Sequence, residues 1–93
     1  MKIEHDGQKE KGTFSINENG ERRAELVYLR SGPGEMTINH TEVDEKLRGE
    51  GIGRDMVAAA VEFARENHLK IIPTCPYAKK VIDENPEYGD ILA

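Results

Sequence analysis

Cysteine is nearly absent from this sequence: Cys75 stands alone among 93 residues. One thiol cannot close an intramolecular disulfide, and without His or Cys neighbours at ligand spacing no structural zinc site is expected. A reducing compartment, and so the cytoplasm, suits such a chain. Long apolar runs are missing too. Nothing approaches the roughly 20 apolar residues of a membrane helix, and the opening MKIEHDGQKEKG lacks the apolar stretch of a secretory signal. Positive charge is in short supply, with 13 Lys and Arg against 18 Asp and Glu and a net charge of -5. That balance opposes a broad electrostatic grip on nucleic acid. No internal repeat or low-complexity segment occurs.

What is present suits one small core. Hydrophobic residues make up 37% and charged residues 33%, enough apolar material for a single α/β domain over residues 1–93, a sheet faced by a few helices. Lys2 to His5 reads as a short edge strand followed by a turn at Asp6-Gly7. Thr13 to Ile16 alternate polar and apolar residues, and Asn19-Gly20 supplies the positive φ angles of a hairpin turn. The return strand, Arg23 to Arg30, carries Ala24, Leu26 and Tyr28 on one face. After the breaker Ser31-Gly32-Pro33-Gly34, Met36, Ile38 and His40 alternate with Thr37, Asn39 and Thr41, which predicts a third antiparallel strand with His40 on the face of Met36 and Ile38.

From Gly51 the period changes. Ile52, Met56, Ala59, Ala60 and Phe63, widened by Val57, Val61 and Ala64, predict a helix that ends near Asn67 or His68. Lys70 to Pro73 reads as a brief buried strand, so the order strand, helix, strand implies a right-handed crossover between parallel neighbours. Pro76 then opens a short helix with Ala78, Val81 and Ile82 inward, before Pro86 stops it.

The segment LRGEGIGRDMV, Leu47 to Val57, carries the chemistry. Three glycines lead into a helix whose first N–H groups have no intrahelical partners and whose dipole adds positive character, a ready anion site flanked by Arg48 and Arg54. A phosphate loop of the Walker type is excluded because no Lys followed by Ser or Thr comes after the glycines. A dinucleotide fingerprint is excluded because Met56 occupies its third glycine position.

Arg48-Gly49-Glu50-Gly51-Ile52-Gly53 resembles instead the cofactor signature of the GNAT superfamily of acetyl-CoA-dependent N-acetyltransferases: Gln or Arg, two residues, Gly, one residue, then Gly or Ala. HTEV at His40 to Val43, IPTCPY at Ile72 to Tyr77 and NPEY at Asn85 to Tyr88 are similar to a small stand-alone subfamily of this length, and the resemblance covers most of the chain. It implies a minimal GNAT-like mixed sheet, an antiparallel meander and then a β-α-β crossover with splayed strands, plus a short C-terminal helix. It also implies acetyl-CoA bound by Thr41, Val43, Arg48, Gly49, Glu50, Gly51, Ile52, Gly53 and Arg54, and transfer of the acetyl group to an amine. No helices separate the early strands, so the acceptor side is open, and a protein lysine suits it at least as well as a small metabolite. The tyrosine that many of these enzymes use as an acid has no match, because Ile82 stands at its place; Tyr77 and Tyr88 are substitutes.

Two residues are candidates for the catalytic step. His40 is the base by its ordinary pKa, or else a packed core histidine. Cys75 follows the last strand and precedes a helix N-terminus, so it is either an activated thiol that takes the acetyl group, with His40 as partner, or a small buried hydrophobe. The rival to an enzyme is a non-catalytic acyl-CoA-binding or protein-interaction module on the same fold.

Overall fold

The structure, a computed structural model, describes residues 2–93. Five strands form one sheet in sequence order: β1 (Glu4–Gly7), β2 (Lys11–Glu18), β3 (Glu21–Gly32), β4 (Glu35–Val43) and β5 (Lys70–Pro73). The first four pair antiparallel and β5 lies parallel to β4. Between β4 and β5 runs the long helix α1 (Ile52–Glu66), and α2 (Pro76–Asp83) follows β5. This is the expected mixed sheet with a crossover.

Local signals explain most turns. Asn19 (φ 52) and Gly20 (φ 79) take the left-handed angles of a tight hairpin turn. The breaker between β3 and β4 shrinks to Pro33-Gly34, because Ser31 and Gly32 remain extended and Gly32 pairs with Glu35. The first strand sits two residues later than expected. Asp6 and Gly7 belong to it, opposite Thr13 and Gly12, and the turn falls beyond them, where Gln8 N–H donates to Lys11 O at 2.8 Å. Side chains favour that register: the His5 ring stacks on Phe14 at 4.2 Å and its Nε2 lies 2.6 Å from the Tyr28 hydroxyl.

One core unites sheet and helices. Phe14, Ile16, Ala24, Leu26, Tyr28, Met36, Ile38 and Ile71 face Ile52, Met56, Val57, Ala60, Val61 and Ala64 of α1 and Ala78, Val81 and Ile82 of α2. Ala59 and Phe63 are only partly buried, at the margin of the α1 stripe. Met56 and Leu26 are fully buried, and cutting either to alanine would cost about 2–5 kcal/mol. Past α2, Pro86 opens a 3-10 turn (Pro86–Ile91) instead of only ending the helix, and it brings Leu92 into a parallel bridge with Ile71. The open edge of β5 is thereby covered. No helix among the described residues is long and apolar enough to cross a membrane.

One register shift positions everything that follows. Tyr28 pairs with Ile38 but Val27 pairs with His40, so Asn39 is an extra residue on β4. Such a bulge exchanges the two faces of a strand. Met36 and Ile38 point into the core, and past the bulge Thr41 and Val43 take the inner side opposite Leu26 and Ala24. The expected alternation, with His40 beside Ile38, does not hold. His40 is exposed and shares the outer face with Val27, Glu25 and Glu42.

Candidate active site at the fork between β4 and β5

β4 and β5 part company at Ile38. Their pairing runs from Glu35↔Lys70 to Ile38↔Pro73, whereas β4 continues to Val43. Pro73 has no N–H with which to extend the ladder. The N–H groups of Thr74 and Cys75 both turn back to Ile38 O, at 3.0 and 3.1 Å, and Thr74 Oγ1 joins them at 3.2 Å. His40 to Val43 therefore have a strand partner on one side only, in β3, and face an open fork on the other.

The glycine turn closes over that fork. Gly51 is the N-cap of α1 with φ 77, an angle natural to glycine. The N–H groups of Ile52, Gly53 and Arg54 in the first helical turn have no intrahelical acceptors. A Cβ at Gly49 or Gly51 would meet no atom within 4 Å, so these positions bound open space. Arg48 Nε reaches Val43 O at 3.4 Å and ties the turn to the end of β4. Asp44 braces the same corner: its carboxylate accepts from Lys46 N–H at 2.9 Å and from Arg23 at 3.0 Å. Together these elements enclose a cavity of about 620 Å³. Of the expected cofactor residues, Thr41, Val43, Arg48, Gly49, Gly51, Ile52, Gly53 and Arg54 line it. Glu50 is exposed in the turn and is not on that wall.

Cys75 lies beside the fork, 7% exposed, as N-cap of α2, and is not among the residues that line the cavity. Its Sγ lies 3.6 Å from Thr41 Oγ1. Burial pushes the thiol pKa up, but the N–H groups of Ala78 and Tyr77, with the Thr41 hydroxyl and N–H, outweigh it and leave the thiol below its ordinary value. The sulfur makes no side-chain cap hydrogen bond at the start of α2. His40 lies elsewhere. Its Nε2 is 3.2 Å from Glu25 Oε2 and 3.4 Å from Glu42 Oε2 on the outer face, while Thr41, the next residue, is the one that meets Cys75.

This combination of fork, glycine turn and crossover coincides with a sequence match. The profile of the GCN5-related N-acetyltransferases fits residues 13–91. The chain belongs to that family. Protein NATD1 of Mus musculus is 39% identical over 87 residues, 92% of this chain and 77% of that protein. The solution structure of a GCN5-like protein from Staphylococcus aureus is 36% identical and superposes with a TM-score of 0.73, over 97% of this chain and 87% of its own. An acetyltransferase of Bacillus subtilis solved with CoA has a TM-score of 0.64 at 19% identity, over 81% and 53% of the two chains, a likeness of fold alone.

In this GNAT-family chain the two substitute tyrosines are placed differently. Tyr77 lines the cavity, and its hydroxyl oxygen stands 2.4 Å from where a Cβ on Gly53 would be. Burial raises its pKa, Arg54 opposes this and Glu84 and Asp55 add to it, so it enters the cavity as an O–H donor. The sequence names it, with Tyr88, as a substitute for the missing acid tyrosine. Glu25 and Glu42 carried no signal at all, because only strand pairing brings them to His40. Tyr88 packs against the core with the Arg65 guanidinium 5.9 Å from its ring centre, and Lys79 pairs with Asp83 at 2.9 Å on the outer side of α2.

Proposed function

We propose that this protein binds acetyl-CoA in the fork and transfers the acetyl group to an amine, with residues 1–93 acting as one acyl-CoA-binding domain. The observation that carries this reading is the open side of β4 beyond Ile38, facing the first turn of α1 across one cavity. The residues suit the ligand. Unpartnered N–H groups, glycines without a Cβ in the way and two arginines match a pyrophosphate, and the unpaired edge of Thr41 to Val43 offers main-chain hydrogen bonds to an amide-bearing chain. CoA in the Bacillus subtilis neighbour supports the same ligand class.

When bound, acetyl-CoA supplies a thioester-activated acetyl group. Arg48, Arg54 and the α1 amides would hold its phosphates, and N–H groups at the fork would polarise the acyl carbonyl. His40, on the outer face, is suited to take the proton of an amine that approaches from that side. Cys75 offers a second route, in which its thiolate accepts the acetyl group before the amine does. The acceptor class we favour is a lysine side chain of a protein, reached through the open outer face. Residence in the cytoplasm, where Cys75 stays reduced, belongs to the same proposal. A non-catalytic acyl-CoA-binding module is the competing reading, favoured by the placement of His40 and Cys75 on different sides of β4, with no preassembled pair of nucleophile and base.

Titration of isotope-labelled protein with acetyl-CoA and with CoA, followed by backbone amide NMR, separates these readings. Saturable shifts of Gly49 to Arg54 with both ligands, and of the Cys75 region with acetyl-CoA alone, are expected for the transferase. Shifts without any turnover over an amine panel would leave the binding module. Silence at millimolar ligand would remove both.

A further inference from the structure

The outer face of the sheet contains an arrangement that stability does not explain. Glu25 on β3 lies directly opposite Glu42 on β4, and two like charges so placed destabilise an antiparallel pair. The group between them is His40. The bulge at Asn39 turns its ring onto this face, diagonal to Glu25, with Nε2 3.2 Å from one carboxylate and 3.4 Å from the other. A local rule broken in this way is expected where function demands it.

The two carboxylates are not equivalent. Glu25 is 28% exposed and is held from both ends, with Oε1 3.4 Å from Arg22 Nη1 and Oε2 on His40. Glu42 is 69% exposed and neighbours His40 along the same strand. A fixed acceptor orients an imidazole, whereas a solvated one only shares it.

Resting on the reading of His40 as the base, we propose that Glu25 is its positioning residue. Its Oε2, 3.2 Å from the ring nitrogen, would accept the Nε2–H of His40, so that the proton of the acceptor amine is received at Nδ1. With acidic oxygens at Nε2, that nitrogen carries the proton of the neutral ring and the lone pair is left on Nδ1. In the transfer step the amine nitrogen forms the C–N bond to the acetyl carbon, the C–S bond breaks with its electron pair on the CoA sulfur, and the nitrogen's proton passes to Nδ1. Glu25 then faces the imidazolium and balances its charge, the orienting role a carboxylate plays behind a catalytic histidine. Tyr28 and Leu26, on either side of Val27, are buried in the core, so β3 presents Glu25 on a rigid strand.

The test reads the ring directly. Long-range 15N NMR of the imidazole reports which nitrogen is protonated, at a pH where His40 is neutral, and needs neither cofactor nor acceptor. Wild type should show the Nε2–H form alone. Glu25→Ala should let the Nδ1–H form appear, Glu25→Gln, which keeps an oxygen acceptor, should largely restore the wild-type pattern, and Glu42→Gln should retain it. With acetyl-CoA and a blocked lysine amide as acceptor probe, Glu25→Ala should lower kcat roughly tenfold or more, within the reach of general-base catalysis, while KM for acetyl-CoA stays within twofold. An unchanged tautomer in Glu25→Ala, or a change in Glu42→Gln equal to that in Glu25→Ala, overturns the role of Glu25. His40→Gln at full activity would instead remove the base reading beneath it, leaving the tautomer result to stand separately.

Discussion

Replacing Gly53 with alanine tests the cavity wall and the helix start at once. Within an ordinary helix interior this exchange stabilises by about 0.8–1.0 kcal/mol. Here the new Cβ would stand 2.4 Å from the Tyr77 hydroxyl oxygen, 2.7 Å from Cζ and 2.8 Å from Cε2, distances no structure tolerates. The ring must move. Tyr77 is already 38% exposed, so it can swing toward solvent, and the overpacking cost falls at the low end of roughly 1–3 kcal/mol. The helix gain and this cost nearly cancel, giving a net destabilisation of about 0–1 kcal/mol, or a Tm lower by less than about 8 °C. In a Tyr77→Ala background the clash is gone and the full helix increment should appear. A double-mutant cycle, measured by urea unfolding with circular dichroism, should then show a coupling of about 1 kcal/mol or more. Calorimetric titration should read differently, with Kd for CoA at least about tenfold weaker in Gly53→Ala, a loss of about 1.4 kcal/mol. Zero coupling, or stabilisation by the full helix increment in the wild-type background, would refute the packing of Tyr77 on Gly53.

Three further outcomes follow from other parts of the molecule. Arg48→Gln removes a charge from the phosphate side of the cavity and should weaken CoA about tenfold, with a smaller difference in molar salt; equal affinities at low salt would refute its role. Because donors at the start of α2 and on Thr41 outweigh burial at Cys75, its alkylation should reach half-maximal rate at a lower pH than an ordinary thiol's, and Thr41→Val should move that midpoint up; a midpoint at or above the ordinary value would contradict this. Burial holds the His5 pKa below 6.5 although Asp6 raises it, so the unfolded chain binds the proton more readily. Stability from this residue is complete above pH 6.5 and is lost as the pH falls through that value toward the folded pKa. The urea midpoint should be lower at about pH 5 than at about pH 8, and the difference should shrink in His5→Gln.

Much of this protein was determined by the sequence alone. The two-residue period of β2 and β3, the helical period from Ile52 to Ala64, and the Asn19-Gly20 and Pro33-Gly34 turns depend on neighbours a few residues apart. The glycine turn from Arg48 to Arg54 is likewise local, since its chemistry lies in backbone angles and in N–H groups that the next helical turn cannot use. For that reason the fold class and the family were legible before any coordinate. The tertiary structure decided what pairing decides. The bulge at Asn39 leaves no mark in a run of alternating residues, yet it sends His40 to one face and Thr41 to the other. That single register shift gives Cys75 the Thr41 hydroxyl instead of the histidine, and gives the histidine Glu25, fifteen residues away in the chain. Tyr77 meets Gly53 only because two helices are fixed against the same sheet. Local conformational preference is written residue by residue, whereas these contacts exist only once the entropy of ordering distant segments has been overcome by a shared core.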